Sequence, residues 1–152
     1  MGIWEDKVSG KICAFCNSEP EADNSLHFIC EMRVSKLYLT HDQSFMGRVV
    51  LVYHEHQTEL HKLVREDSLA YYQDMLDAAE AVSKAFKPDK FNYLSLGDLT
   101  PHLHWHIVPR YKNGPYWGQN FMGKNIEPVY LEEEEYLALI EKIKRRLNEI
   151  GK

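Results

Sequence analysis

The chain has 152 residues, of which 44% are hydrophobic and 27% charged, a composition typical of a globular protein long enough for one sizeable core. With 18 Lys and Arg against 23 Asp and Glu, the formal net charge of -5 excludes a general basic field that would attract duplex nucleic acid, so phosphate chemistry needs a local site. The first residues lack the pattern of a signal peptide, and no apolar run reaches the roughly 20 residues that cross a bilayer, which predicts a cytoplasmic protein without a membrane partner.

The first candidate site in chain order is the pair Cys13 and Cys16. The chain's three cysteines do not make a disulfide framework, and such a pair in a reducing compartment indicates metal binding or redox chemistry. The alternative is packing, because an unpaired cysteine is among the most buried residue types. A closed zinc site needs four ligands, so two histidines would have to complete it. Cys30 stands alone in a predicted strand and indicates packing.

The rest of the chain predicts three strands, a helix, two strands, a long loop and a last helix. Strands are expected at 26–31, 36–39, 48–53, 91–96 and 103–108. Apolar spacing between Leu69 and Phe86 predicts the first helix, with Asp67 and Ser68 as its cap candidates, and the stripe from Tyr136 to Ile150 predicts the second. Three strands before the first of these helices and two after it favour an α+β fold with an antiparallel sheet.

The long loop at 112–131 is rich in glycine, proline and aromatic residues, and long connections of this kind are often functional. Trp117 is its candidate for a wall of the substrate cleft. Packing into the core is an equally good account of Trp117, because aromatic side chains bury large areas wherever they fall.

Residues 102–110, His-Leu-His-Trp-His-Ile-Val-Pro-Arg, carry the most informative pattern. Successive side chains of a strand point to opposite faces, so His102, His104 and His106 are expected on one face and apolar residues on the other. The outer two lie about 13 Å apart along the strand, too far for all three to bind one ion, so their roles must differ. The alternative to a functional site is a run of solvated or mutually hydrogen-bonded histidines on an exposed strand face. Two chemistries remain open: a His-x-His metal clamp, or an imidazole that attacks phosphorus.

This strand, with the Tyr that follows its Pro-Arg, resembles the signature of the histidine triad (HIT) superfamily of nucleotide hydrolases and transferases. The segment 47–56 is similar to that family's Gly-His-x-Leu-Val-x-Pro-x-x-His strand, and the segment 13–16 is similar to the Cys-x-Phe-Cys opening of its zinc-containing bacterial members. The resemblance implies a single HIT domain over 1–152, with the motifs at about 11–111 and a loop plus C-terminal helix at 112–152. It also implies a HIT-like antiparallel five-stranded sheet with two main helices, continued across a homodimer.

The resemblance further assigns roles to individual residues. His104 would be the nucleophile that attacks an α-phosphorus and forms a nucleotidyl-histidine intermediate, and His106 would bind the phosphate. The substrate would be a small nucleotide, such as a dinucleoside polyphosphate, a nucleoside phosphoramidate or an adenylylated compound. A structural zinc is implied and no organic cofactor. The implied zinc ligands are Cys13, Cys16, His56 and His102, with His54 as a rival for the position of His56.

Several positions depart from the family pattern. Arg48 stands where the family commonly has a histidine, and Thr40 falls at the Asp or Asn that usually holds the ribose hydroxyls. The segment before the triad is shorter than the family's loop, and Asp98 or Thr100 would have to replace its polar groups.

Two other functions compete with catalysis at phosphorus. One is a zinc-stabilised module that binds nucleotides or a protein partner without turnover. The other, a metal-dependent hydrolase or cupin-like oxygenase, is disfavoured because no Asp or Glu lies at triad spacing.

Overall fold

The structure, a computed structural model, describes residues 2–17 and 25–151. Its strands are β1 (Leu26–Glu31), β2 (Ser35–Thr40), β3 (Val49–Tyr53), β4 (Lys90–Leu94) and β5 (His104–Arg110). Its α-helices are α1 (Ile3–Val8), α2 (Arg65–Phe86) and α3 (Glu133–Glu149), and a 3-10 turn covers Leu60–Lys62. The strands form one antiparallel sheet in the order β1-β2-β3-β5-β4, which confirms the predicted α+β fold.

The two faces of the sheet have different partners. Helices α2 and α3 cover one face and enclose the main core, in which Leu37, Leu51 and Ile107 are fully buried. The opposite face carries two smaller apolar clusters. One contains Tyr38, Val50 and Val52 with Phe15, and the other contains Phe45, Val108 and Phe121. Cross-strand neighbours point to the same side of a sheet, and His104 and His106 pair with Val52 and Val50. The two histidines therefore lie on the face that the helices leave open, between the two clusters.

The start of α2 differs from the prediction, because the helix begins at Arg65 and neither Asp67 nor Ser68 caps it. Asp67 lies in the first turn, where a carboxylate is favoured by the helix dipole, and it accepts a hydrogen bond from the hydroxyl of Tyr53. The end of α2 agrees with the prediction that the helix stops at Phe86, since Lys87 adopts the left-handed conformation directly after it.

Helix α1 was not predicted. It has only six residues and none of them is buried, so it lacks the apolar period by which a helix is recognised in sequence. None of the described helices combines the length and the apolar content that a membrane span needs.

Candidate functional site

Four side chains with metal-ligating atoms converge beside the start of β5. They are Cys13, Cys16, His56 and His102, and their ligand atoms all lie within 4.8 Å of one another. The Nδ1 atom of His102 is 3.4 Å from each sulfur, and the Nδ1 atom of His56 is 3.6 Å from Sγ of Cys16. A tetrahedral zinc with Zn–S near 2.3 Å and Zn–N near 2.0 Å requires sulfur and nitrogen about 3.5 Å apart. The donor set and its spacing therefore fit a zinc ion.

The second ring nitrogen of each histidine in this cluster is held by a backbone carbonyl. Nε2 of His102 donates to the carbonyl of Tyr53 at 2.7 Å, and Nε2 of His56 donates to that of Val8 at 2.9 Å. A proton on Nε2 leaves the lone pair on Nδ1, which faces the sulfurs. Metal-ligating histidines are typically oriented in this way. Burial lowers the pKa of His102, which favours the neutral ring that a ligand must have.

The residues around the cluster show which histidine joins it and which part of the triad site it supports. His54 is exposed and packs on the ring of Tyr53, so the structure brings His56 to the cysteines and leaves His54 outside. Gly10 allows this approach, because a Cβ there would lie 3.1 Å from the ring of His56. Phe15, between the two cysteines, lies with its ring centroid 5.4 Å from that of His104. The cluster thus holds one wall of the triad site in place.

His104 begins β5 and is buried, with its Nδ1 atom 2.7 Å from the carbonyl oxygen of His102. A carbonyl can only accept, so Nδ1 of His104 carries the proton and donates it. In the neutral form of the ring, the lone pair is therefore on Nε2. An unprotonated nitrogen oriented by a fixed acceptor is what a nucleophile at phosphorus requires.

His106 has the opposite tautomer. Its Nδ1 atom lies 3.0 Å from Nη2 of Arg48, and a guanidinium can only donate, so Nδ1 accepts and the ring proton is on Nε2. Burial, the charge of Arg48 and then His104 lower the pKa of His106 to about 3, which keeps the ring neutral near pH 7. The rings of His104 and His106 are 5.1 Å apart between centroids. Nε2 of His104 therefore offers a lone pair, whereas Nε2 of the adjacent His106 carries a proton that it can donate.

Two arginines place positive charge on this face, although the chain has a net charge of -5. Burial lowers the pKa of Arg48, and its buried Nε atom has no hydrogen-bond partner among the described residues. Arg110 is 4% exposed and donates to Oδ1 of Asn92 at 2.6 Å and to the carbonyl of Tyr116 at 2.7 Å. Both guanidinium groups approach the ring of Phe121, at 5.9 and 5.0 Å. Such a face is suited to an anionic ligand.

The loop after β5 is anchored to the sheet by Arg110. At Phe121 it reaches the sheet face that carries His104 and His106 (the triad face). Trp117 lines a cavity of about 670 Å³ that also includes Leu94, the residue that pairs with His106 across β4 and β5. Sequence reasoning assigned no role to Arg110 or Phe121. The Pro-Arg-Tyr after the triad was a signal for Arg110, whereas nothing in the sequence marked Phe121, which reaches the site from outside the motifs.

The remaining candidates make no hydrogen bond to His104 or His106 among the described residues. Asp98 is exposed and lines a different cavity, of about 760 Å³, together with Trp4. Thr100 is partly buried just before the triad, and neither residue hydrogen-bonds to His104 or His106. Thr40 uses its hydroxyl within the chain, because its Oγ1 donates to the carbonyl of Asp42 at 2.8 Å.

Comparisons with known proteins give one family model and several solved structures that the chain is similar to. The model of the HIT domain family matches residues 11–113. A histidine triad protein from Marinobacter aquaeolei VT8 is 25% identical with a TM-score of 0.76, over 88% of this chain and 96% of that one. A zinc-bound histidine triad family protein from Mycobacterium smegmatis is 16% identical with a TM-score of 0.63, over 92% of this chain and 96% of that one. The diadenosine triphosphate hydrolase of Plasmodium falciparum is 15% identical with a TM-score of 0.60, over 83% of this chain and 79% of that one. No curated protein sequence matches the chain.

Proposed function

The chain belongs to the HIT domain family, and we propose that it is an enzyme that hydrolyses or transfers at the α-phosphate of a small nucleotide through a covalent nucleotidyl-His104 intermediate. The observation that carries this proposal is the pair of opposite tautomers at His104 and His106. One ring supplies a nucleophile and its neighbour supplies a donor to phosphate oxygens. The relative from P. falciparum is named a diadenosine triphosphate hydrolase, which supports a dinucleoside polyphosphate as one candidate substrate class, beside nucleoside phosphoramidates and adenylylated compounds.

The proposed reaction has two displacements at phosphorus. The Nε2 lone pair of His104 attacks the α-phosphorus, and a P–N bond forms as the bond to the leaving group breaks. The leaving group keeps the electron pair and takes a proton from water. The positive charge that develops on the ring is stabilised because Nδ1–H donates to the carbonyl of His102. Water, or an acceptor such as phosphate, then attacks the phosphorus, and the P–N bond breaks with its electron pair returning to Nε2, which restores the neutral ring. An attacking water gives its proton to the solvent.

We also propose that the cluster of Cys13, Cys16, His56 and His102 holds a structural zinc. Four protein ligands leave no open coordination position, so the ion would contribute stability and would not activate water. The name of the zinc-bound relative from M. smegmatis supports the choice of metal. The cytoplasmic location and the lack of a duplex nucleic acid partner stay predictions from the sequence.

The test of the reaction is a search for the covalent intermediate. Diadenosine triphosphate, diadenosine tetraphosphate, adenosine phosphoramidate and an adenylylated amine are each mixed with excess protein, quenched at alkaline pH to preserve the P–N bond, and the protein is weighed by intact mass spectrometry. We expect an adenylyl adduct on the wild type and on His54→Ala, the exposed histidine outside the cluster, and none on His104→Ala. Turnover by a well-folded His104→Ala protein would falsify the mechanism. Nucleotide binding with neither adduct nor product would favour the binding module without turnover.

A homodimer that extends the sheet is supported by an apolar surface beside the free edge of β4. Leu69, Tyr72 and Leu76 recur along one side of α2 and are 61%, 56% and 47% exposed, and Tyr93 on β4 is 44% exposed. Strand β4 ends the sheet, so its outer backbone groups are available for pairing with a second copy. We propose that two copies pair through β4 and cover this stripe.

The oligomeric state is tested by light scattering on the eluting protein. Tyr72→Glu places a charge in the stripe and is expected to give monomers, whereas Leu137→Glu, at a leucine of α3 that is 56% exposed, is the matched control and should leave the dimer intact. A monomeric wild type at about micromolar concentration, well above the dissociation constant of a stable dimer, would contradict the proposal.

A further inference from the structure

Arg48 is the residue of the triad face that departs most clearly from the family pattern, and its backbone is held rigidly. Its N–H donates to the carbonyl of Phe45 at 3.0 Å, and its own carbonyl accepts from the N–H of Thr40 at 3.1 Å. The preceding Gly47 has φ 86° and donates its N–H to Oε1 of Gln43 at 2.9 Å. The direction in which the Arg48 side chain points, just before β3, is therefore set before any ligand binds.

The guanidinium of Arg48 has no carboxylate partner among residues 2–17 and 25–151. Its neighbours are His106, the ring of Phe121 and, at longer range, the charge of Asp42. A cation withdrawn from water without a paired anion is unfavourable, so the position of Arg48 needs an explanation beyond packing. The contact that the structure gives it is the hydrogen bond from Nη2 to Nδ1 of His106.

We propose that Arg48 is a positioning residue that holds His106 as the Nε2–H tautomer and thereby makes His106 a hydrogen-bond donor to the phosphate. The histidine that the family commonly has at this position could donate or accept, so it would not by itself select one tautomer of its neighbour. A guanidinium only donates, and it therefore leaves His106 one choice. This inference rests on the proposed function for its catalytic consequence, while the tautomer is a property of the free protein.

The tautomer is measured first, in the zinc-loaded protein without substrate. The ring nitrogens of His106 are observed by ¹⁵N NMR and assigned from the signals that disappear in His106→Gln. We expect a protonated Nε2 and an unprotonated Nδ1 in the wild type and in Arg48→Lys, which keeps a donor and the charge. In Arg48→Met, which removes both, we expect a mixture of tautomers or an imidazolium. An unchanged Nε2–H tautomer in Arg48→Met overturns the inference, and so does an Nδ1–H tautomer in the wild type.

Kinetics then separate positioning through His106 from a direct contact with substrate. Loss of one donor to a developing oxyanion typically lowers kcat by about 10²-fold to 10³-fold, so we expect Arg48→Met to lower kcat by roughly tenfold to a hundredfold with a smaller change in KM. In the His106→Ala background the same substitution should change kcat by less than about threefold, because Arg48 can then no longer act through His106. An equal loss in both backgrounds overturns the inference.

Two controls keep the result distinct from misfolding and from failure of the proposed function. Arg145→Met, at an exposed arginine of α3, removes an equal charge away from the triad face and should leave kcat unchanged. If Arg48→Met does not fold, Arg48→His returns the residue common in the family and is expected to show mixed tautomers. If no nucleotide is turned over, the proposed function fails while the NMR measurement still decides the tautomer.

Discussion

Removing the metal should release the N-terminal segment before it unfolds the sheet. Helix α1 contributes no buried residue, and two of its contacts with the body are single hydrogen bonds, from Nε2 of His56 to the carbonyl of Val8 and from Nζ of Lys7 to the carbonyl of Leu99. Cys13 and Cys16 follow α1 and would be tied to the body by the same ion. The docking of residues 2–17 should therefore depend on coordination far more than the sheet does.

The expected increase in the opening of residues 2–17 follows from the linkage between zinc binding and folding. An ion at a free concentration a thousand times its dissociation constant stabilises the state that binds it by about 4.1 kcal/mol. Each 1.36 kcal/mol is about a factor of ten in an equilibrium, so chelation should raise the opening of residues 2–17 by about a thousandfold. In contrast, Val49, Leu51 and Ile107 are 0% exposed in the main core between the sheet and its helices, and none of the four ligand residues belongs to that core.

Hydrogen exchange with peptide resolution measures this difference. Zinc-loaded protein treated with a strong chelator should lose about a thousandfold of protection in peptides covering residues 3–17, while peptides from β3 and β5 change by less than about tenfold. Cys16→Ser should behave like the chelated wild type. Cys30→Ser, at a cysteine outside the cluster, should behave like the untreated protein. Equal loss of protection in residues 3–17 and in β3, or no loss at all, would refute the reasoning.

Three further predictions concern the triad face. Arg110→Met removes the hydrogen bonds to Asn92 and Tyr116 and should lower the free energy of unfolding in urea by about 3–5 kcal/mol, with Arg110→Lys no better than intermediate. Trp117→Ala should change the ratio of kcat/KM for two adenylated substrates that differ in leaving group at unchanged Tm; an unchanged ratio with a lower Tm would place Trp117 in the core instead. The pKa of His106 is lowered to about 3, so the unfolded chain takes up a proton that the folded chain does not, and stability should fall as the pH drops below about 6.5. With zinc saturating, His106→Gln should reduce that pH slope, and an unchanged slope would show that other groups cause it.

The sheet could be predicted because its strands have distinct faces. The strand at 26–31 and the cores of the others were recognisable from β-branched residues and alternation, and the triad pattern identified the family. Strand β5 begins one residue later than expected, at His104. Its predecessor His102 donates to the carbonyl of Tyr53 and faces the cysteines, and a sequence pattern carries no information on such a contact.

The parts that could not be predicted depend on contacts between distant residues. Helix α1 buries nothing and has no apolar period, and the start of α2 lacks a side-chain cap that sequence could reveal. The chemistry of the triad face required the structure as well. The motif identifies His104 and His106, but their tautomers are set by a backbone carbonyl and by Arg48, more than fifty residues away from His106 in the chain.

The two departures at positions 40 and 48 are linked, and together they predict which end of a substrate the protein recognises. Oγ1 of Thr40 donates to the carbonyl of Asp42 and lies 3.2 Å from the carbonyl of Arg48. Nε2 of Gln43 donates to the same Oγ1 at 3.2 Å. Of the two residues usual in the family, an Asp at position 40 cannot donate and would face carbonyl oxygens, so the hydroxyl of Thr40 suits this backbone better than a carboxylate does. Arg48 meanwhile brings a fixed charge toward the phosphate end. We therefore expect discrimination to rest on the phosphate and the leaving group, with kcat/KM values for an adenosine substrate and its 2′-deoxy analogue within about threefold, a difference of under 1 kcal/mol. A preference for the ribose form of about a hundredfold would show that another residue holds the sugar hydroxyls and would contradict this account of Thr40.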